Sequence, residues 1–447
     1  MQELIQKYNV PGPRYTSYPT VPFWDESTYS VSSWIKSLQK DNSSKEISVY
    51  IHLPFCESLC TFCACNKRIT KRHEVEIPYI EALLKEWNMY LEILKDKPVL
   101  KEIHLGGGTP TFFEPKHLEY LLKTIKDSCD IPEDVSFSFE GHPNNTTTNH
   151  LETLRHLGFD RVSYGIQDYN PKVQIAIHRI QSFETVKNIT ELSRASGYKS
   201  VSHDLIYGLP MQTLEDVIST IHKTTELMPD RIAFYSYAHV PWTKGNGQRG
   251  YDEKDLPSAE LKRKQYETGK KMLEEQGYIE IGMDHFALPE DELAVAFKNK
   301  TLHRNFMGYT TTKTDKMIGL GVSAISDSWF GFSQNHKNLN HYYDSLSKNE
   351  LPVSRGHILD ETDLIIRRKI LDLMCHFETN LEDLDLNIQS EIKNDLAEFE
   401  IDRLLTLKGD VIKVKSNGKA FIRNICMAFD LRLKAKQTES QLFSMTI

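Results

Sequence analysis

YIHLPFCESLCTFCACN, residues 50–66, is the stretch whose reading decides the rest, because four of the chain's seven cysteines fall inside it. They are Cys56, Cys60, Cys63 and Cys65. The residues just before them, 47–53, read as a short buried strand rich in Val, Ile and Tyr. Pro54 stops that strand, so the thiols sit on a loop at its carboxyl end. Thiols this dense have three physical readings. A disulfide framework suits small secreted domains, whereas this chain has 447 residues, an odd cysteine count and no signal segment at its start. A structural zinc site wants four thiolates around one tetrahedral ion, usually as two short pairs drawn together from apart. An iron–sulfur cluster takes closely grouped thiolates, and a site with only three leaves one iron open for a further ligand.

The spacing Cys56-x3-Cys60-x2-Cys63 resembles the signature of the radical S-adenosylmethionine (radical SAM) enzymes. The resemblance implies that these three cysteines hold a [4Fe–4S] cluster. Its open iron would bind SAM, which one electron cleaves to methionine and a 5′-deoxyadenosyl radical.

Composition bounds the remainder. Hydrophobic content of 39% and charged content of 26% describe an ordinary globular chain, long enough for a large domain and a smaller one. A formal charge of −8 argues against a general nucleic-acid or membrane-surface binder, though it leaves room for a local basic pocket. No apolar run approaches the roughly 18 residues a membrane helix needs, so no membrane insertion is expected. Unpaired thiols fit a reducing compartment, and a cytoplasmic monomer is the expectation.

Residues 1–40 form an arm centred on PGPRYTSYPT, residues 11–20. Prolines this dense forbid a helix and favour an extended path. Arg14, Tyr15, Tyr18, Phe23 and Trp24 are costly to leave in water, so the arm is expected to pack on the main domain or to cover its site. From residue 45 the pattern alternates strand and helix, which implies a mostly parallel sheet. The expected strands are 47–53, 101–105, 135–140, 161–167, 201–206 and 231–238. Amphipathic helices at 78–94, 116–127, 149–157 and 183–196 run between them. Six such units predict an α/β fold: a partial (β/α)6 barrel, over residues 41–345 with its extension. Residues 251–277 read as a linker and helix, and 278–335 as further strands and loops. Residues 346–447 read as a smaller helix-rich, winged-helix-like domain, with a hairpin near 404–414 turning at Gly409. Cys129, Cys375 and Cys426 are read as buried apolar residues.

In parallel α/β folds the chemistry collects at the carboxyl ends of the strands. The first strand ends at the cysteine loop, and the second runs into Gly106, Gly107, Gly108 and Thr109, whose backbone a ligand can approach closely. The third ends at Glu140, the fourth at Gln167 and the sixth near Ala238 and His239, while Asp204 lies in the fifth. Each is unremarkable by itself; successive strands ending this way beside one cysteine loop point to a single site.

The motifs GPRYTSYPT, HLGGGTPT, YGIQDYN, DLIYGLP, YAHVP, IGMDHFALPEDELA, LHRNFMGYTT, GLGVSAIS and FIRNICMAFD run nearly end to end with the cysteine stretch. Together they resemble the oxygen-independent coproporphyrinogen III oxidase family, the anaerobic haem-biosynthesis branch of the radical SAM enzymes. In that family the fourth cysteine, here Cys65, is not a cluster ligand. The resemblance implies two SAM molecules. Tyr50, Gly107, Glu140 and Ile325 match positions around the one on the cluster. Phe62, Gly108, Thr109, Gln167, Arg179, Asp204 and Ala238 match positions around the second. After Glu140 the chain reads Gly141-His142-Pro143 where Val-Asp-Pro is expected, a departure beside a SAM contact.

The implied reaction is oxidative decarboxylation of two propionates of coproporphyrinogen III to vinyl groups, giving protoporphyrinogen IX. No protein residue is assigned the bond-breaking step, because the cofactor carries the difficult chemistry. A reductant and an electron acceptor are implied partners. The tetra-anionic substrate calls for cations: Arg14 on the arm, then Lys67 and Arg68, with Lys71 and Arg72 beyond them. Two relatives remain as alternatives, a haem-binding radical SAM chaperone and a haem-opening radical SAM methyltransferase. Cys65 and the 11–20 arm favour the oxidase.

Overall fold

Short apolar strands capped by polar turns, alternating with helices that are apolar on one side, build the sheet of this α/β chain. A computed structural model describes residues 2–40, 44–240, 247–435 and 442–446. Six strands follow in chain order: β1 (Glu46–Leu53), β2 (Val99–Gly107), β3 (Ser136–Gly141), β4 (Arg161–Gln167), β5 (Ser200–Tyr207) and β6 (Arg231–Ser236). Each pairs in parallel with the next. Helices Glu76–Leu94, Pro115–Asp127, Thr148–His156 and Phe183–Ala195 connect them, as the spacing predicts. Thr147, Ser182 and Thr213 cap three of the crossover helices through side-chain oxygens, each cap contributing about 1 kcal/mol. This is the expected partial (β/α)6 barrel.

The sheet is wider than six strands. β7 (Ile279–Gly282) and β8 (His285–Ala287) extend it antiparallel beyond β6. On the other side β9 (Lys316–Leu320) lies parallel to β1, and β10 (Ile325–Asp327), β11 (Gly331–Asn335) and β12 (Val353–Ile358) follow antiparallel. The full order is β12-β11-β10-β9-β1-β2-β3-β4-β5-β6-β8-β7. The sheet therefore continues past residue 345. β1, which carries the cysteine loop, is central and almost wholly buried.

One large core fills the space between this sheet and its helices, with Trp34 and Trp87 fully buried. A second core joins Tyr8, Tyr15 and Tyr18 of the arm to the C-terminal helices. There, helices Glu361–His376 and Leu386–Ile401 pack with a three-stranded sheet whose hairpin, Leu405–Lys408 and Val411–Val414, turns at Gly409. Trp24 stacks on Phe332 of β11 with ring centroids 5.5 Å apart. The arm thus runs through the joint between barrel and C-terminal segment. Cys129, Cys375 and Cys426 are buried free thiols.

A buried carboxyl ties β9 to β1. Glu86, fully enclosed, accepts from Gly321 N at 2.9 Å, Tyr342 Oη at 2.7 Å and Asn335 Nδ2 at 2.6 Å. Tyr79 on the same helix donates to the His52 carbonyl at 2.8 Å and accepts from Val322 N at 3.0 Å. His52 Nε2 in turn lies 2.8 Å from the Asn66 carbonyl, at the far end of the cysteine loop. Burial pushes the Glu86 carboxyl up to about 7 despite those donors. Its folded value therefore exceeds its unfolded one, and the folded state keeps a proton that the unfolded state has lost. Stability from this group is full below the unfolded value and is lost as pH rises toward 7. Between pH 5 and 8 the unfolding free energy of Glu86→Gln should gain on wild type by about 2–3 kcal/mol. Parallel denaturant titrations at the two pH values check this, and an unchanged gap would refute it.

Candidate functional site

The site is assembled where β1 and β2 end side by side. Gly108 N donates to the Leu53 carbonyl at 2.8 Å and Thr109 N to the Phe55 carbonyl at 3.0 Å, so the glycine run lies directly on the strand entering the cysteine loop. A Cβ on Gly108 would sit 2.6 Å from the Pro54 carbonyl carbon, so only glycine fits there. The loop itself is clamped. Lys67 Nζ donates to the Cys63 carbonyl at 2.9 Å, and Thr61 Oγ1 to Ala176 O at 3.0 Å. Phe62 packs against the cluster of Val173, Ile177, Leu209 and Tyr237.

Cys56, Cys60, Cys63 and Cys65 all line one cavity of about 420 Å³. Thr109 Oγ1 donates to Cys56 Sγ at 3.4 Å and Arg179 Nη1 to Cys60 Sγ at 3.7 Å. A hydrogen bond from Cys65, followed by Lys67 and Arg179, holds the Cys63 thiol down to about 6, while burial pushes Cys56 up to about 11. Among the described residues, no three His, Cys, Asp or Glu side chains close on a single ion. Three thiols on one open loop suit a cluster with a free iron.

The far wall comes from the inward faces of β2 to β5. Gly107, Glu140, Gln167, Arg179 and Asp204 face the cavity together with Phe62, Gly108 and Thr109. Gly107 N donates to Glu140 Oε2 at 3.3 Å, and His104 Nε2 lies 3.5 Å from Oε1. Enclosure pushes the Glu140 carboxyl up, but His104 and the Gly107 N–H outweigh it and hold the group below the usual range. Asp204 differs. Burial and the neighbouring Glu140 push it up to about 7 although Ser163 Oγ donates to it at 2.8 Å. One carboxylate and one near-neutral carboxyl thus stand on neighbouring walls, able to accept from and to share protons with hydroxyls or an ammonium. Arg179 is anchored by the Gly165 carbonyl, Nη2 to O being 2.6 Å, with Nη1 turned toward the thiols.

Several expected positions stand apart from the cavity lining. Tyr50 lies behind the glycines, its hydroxyl 3.0 Å from His52 Nδ1 and its ring stacked 6.0 Å from His104. Ile325 opens β10 and packs with Trp24, Phe332 and Leu359, and the Ala238 carbonyl accepts from Gln248 Nε2 at 2.7 Å. Lys67 and Lys71 line the cavity, Arg68 is exposed on a two-residue strand beside Phe55–Cys56, and Arg72 is exposed beyond it. Arg14 is away from the thiols, in an ion pair with Asp284. The Gly141 departure has a local cause: a Cβ there would fall 2.6 Å from Tyr164 Cε1, so valine does not fit over that ring. Burial pushes His142 down to about 3, so a neutral imidazole stands at this wall. His104 and Ser163 escaped the sequence reading. They share the period-2 inward face with Glu140 and Asp204, and that alternation was the signal available.

The residues therefore fit a three-thiolate cluster with a ligand carrying ammonium, carboxylate and hydroxyl groups. Residues 50–224 match the Radical SAM superfamily. The oxygen-independent coproporphyrinogen III oxidase of Synechocystis is 37% identical over 100% of this chain and 97% of its own length. That of Pseudomonas aeruginosa is 38% identical over 96% of this chain and 95% of its own. The solved structure of coproporphyrinogen III oxidase (HemN) from Escherichia coli, described as a radical SAM enzyme, superposes with a TM-score of 0.90 at 35% identity, over 96% of this chain and 98% of that one. The chain belongs to the oxygen-independent coproporphyrinogen III oxidase family of the radical SAM superfamily.

Proposed function

We propose that this protein converts two propionates of coproporphyrinogen III to vinyl groups without oxygen, giving protoporphyrinogen IX in haem biosynthesis. The observation that carries this reading is the shared cavity, in which Cys56, Cys60 and Cys63 face Glu140, Arg179 and Asp204 at the ends of parallel strands. The [4Fe–4S] cluster and SAM, when bound, supply the one-electron chemistry and the hydrogen-atom acceptor.

The chain's own residues bind, orient and exclude water. Cys56, Cys60 and Cys63 are the cluster ligands, leaving Cys65 as a neighbour of Cys63. Glu140 with the Gly107 backbone forms one cofactor station, to which Tyr50 and Ile325 belong as outer support. Asp204, Gln167 and Arg179, with Phe62, Gly108, Thr109 and Ala238, form a second, and two stations with separate acids support two SAM molecules. Lys67 and Lys71 at the rim, with Arg68 outside it, oppose the substrate carboxylates. The domain division proposed is an arm over 1–40, the barrel and its extension over 41–345, and a C-terminal winged-helix-like piece over 346–447.

Each propionate gives up one hydrogen atom, one further electron and carbon dioxide. A reductant for the cluster and a separate electron acceptor therefore act as partners. Among the described residues no helix is long and apolar enough to cross a membrane. A monomer working in the cytoplasm fits these needs.

Replacing Glu140 or Asp204 by Ala should cut SAM cleavage at least about tenfold while the cluster absorbance stays, since each removes one charge-assisted contact. Unchanged cleavage with dithionite in both variants would refute the two stations. The function itself is tested by carbon dioxide release from coproporphyrinogen III under anaerobic conditions. Release should stop when SAM, reductant or electron acceptor is left out in turn, and release independent of SAM would refute the proposal.

A further inference from the structure

At the carboxyl ends of β5 and β6, away from the thiols, the arm, the barrel edge and the C-terminal segment meet around a second small cavity of about 50 Å³. Arg14, Arg263, Lys419 and Arg423 line it, with Tyr207 and Ser236 from the strands. Lys262 stands beside it, donating to the Tyr237 carbonyl at 2.7 Å. This is a dense concentration of cations in a chain whose net charge is −8.

Two acids also line the cavity, and both are committed: Asp284 pairs with Arg14 and Glu280 with Lys270 at 2.6 Å, while Glu267 beside it pairs with Arg263. Lys262, Lys419 and Arg423 have no carboxylate partner among the described residues. Arg423 spends its donors on backbone carbonyls of the arm and tail, Pro13 and Met445, both at 2.9 Å, and Gly12. The Lys419 ammonium sits over the rings of Phe377 and Phe297, at 4.7 and 5.3 Å. Arg263 Nε is buried without an acceptor, on a side chain only 11% exposed. Burial and the like charges of Arg14 and Arg423 push Lys262 down to about 8, and burial with Arg14 pushes Arg423 down to about 10. The fold holds like charges together at a cost that an anion would relieve.

We propose that this pocket receives one propionate carboxylate of the substrate macrocycle, bound by Arg263 and Lys419. The inference rests on the function proposed above. The pocket has room for a carboxylate, being a few times the roughly 10–15 Å³ that one water requires. Position also fits: the pocket lies at the end of β5, about 10 Å along the strand from Asp204, with Tyr207 itself on the face opposite Asp204. The Arg14 guanidinium lies 6.0 Å from the ring of Tyr235, which lines a smaller cavity sharing Glu140, Ser163 and Asp204 with the thiol cavity. Two of the four carboxylates survive the reaction, so an anchor can hold one without consuming it.

The test uses the full-length, cluster-loaded protein and coproporphyrin III, the stable oxidised tetra-acid, titrated beside its tetramethyl ester. Arg263→Gln and Lys419→Gln should each weaken binding of the acid about tenfold, the scale of one charge-assisted hydrogen bond. Ester binding should be weak in wild type and equal in the variants. Lys419→Arg should restore most of the acid affinity, and KM for coproporphyrinogen III should rise more than kcat falls. Melting temperature and cluster absorbance report folding. Unchanged acid affinity in both variants, equal losses for acid and ester, or displacement of the acid by equimolar inorganic phosphate would each overturn the anchor. Normal turnover with unchanged affinity would leave the proposed function standing, whereas a wild type that neither binds nor converts the tetra-acid would overturn both.

Discussion

Cys60→Ser should lose its cluster and all measurable turnover, while Cys65→Ser should keep a [4Fe–4S] absorbance and iron content near wild type after anaerobic reconstitution. A serine hydroxyl stays protonated at neutral pH and is a harder donor than thiolate, so replacing one of three ligands removes a third of the attachment. Cys60 lines the cavity, and Arg179 Nη1 donates to its sulfur at 3.7 Å. Cys65 lies two residues beyond Cys63 and is the more exposed of the two, so it stands as a neighbour of the ligand set. Its removal should therefore change the cluster's stability or potential more than its presence. Equal loss of iron in the two variants would contradict the three-thiol assignment.

Gly108→Ala should lower turnover about a hundredfold although it adds one methyl group, because a misplacement near 1 Å at a reacting centre costs about that much. The new Cβ would meet the Pro54 carbonyl carbon at 2.6 Å and the Leu53 carbonyl oxygen at 2.8 Å. Both are backbone, and neither can swing aside as a side-chain tip could. Relief requires separating the ends of β1 and β2, which breaks the 2.8 Å bond from Gly108 N to Leu53 O and moves the cysteine loop. The stability cost should be about 1–3 kcal/mol, as for other overpacked sites. By comparison Gly277→Ala, whose Cβ would meet nothing within 4 Å, should leave turnover unchanged and pay only for its left-handed backbone, φ +89°. Wild-type turnover in Gly108→Ala would mean that the strand ends do not position the thiols.

The six parallel strands and their helices were legible because buried strands read as short apolar runs and each helix shows one apolar face. β9 was less so. Its residues, KMIGL, run into a glycine turn, and its parallel partner β1 lies some 270 positions earlier, a pairing no local pattern encodes. The same distance hid the arm's role. Composition showed that Tyr15 and Tyr18 would not stay in water, but not that they would enter a core built by residues 366–429. Removing residues 1–20 would strip that core, so damage from such a deletion could not be assigned to substrate contacts.

The candidate site was legible to the extent that strand ends collect chemistry. Glu140, Gln167 and Asp204 stand on the cavity wall because their strands deliver them there. Arg14 was recognisable as a cation, yet its partner Asp284 comes from the turn between β7 and β8. Ile325 owes its place to its neighbours. The glycine run before it positions the turn after β9, while its own side chain packs with Trp24, Phe332 and Leu359.

The most direct test of the central claim is anaerobic turnover of coproporphyrinogen III labelled with deuterium at the β-carbon of its propionates, followed by mass spectrometry. The reading above predicts a product lighter by two carboxyl groups, carbon dioxide in matching amount, and deuterium transferred into the adenosyl fragment of SAM. Cys60→Ser should give none of these. Unchanged coproporphyrinogen beside bound haem, or haem of increased mass, would contradict it.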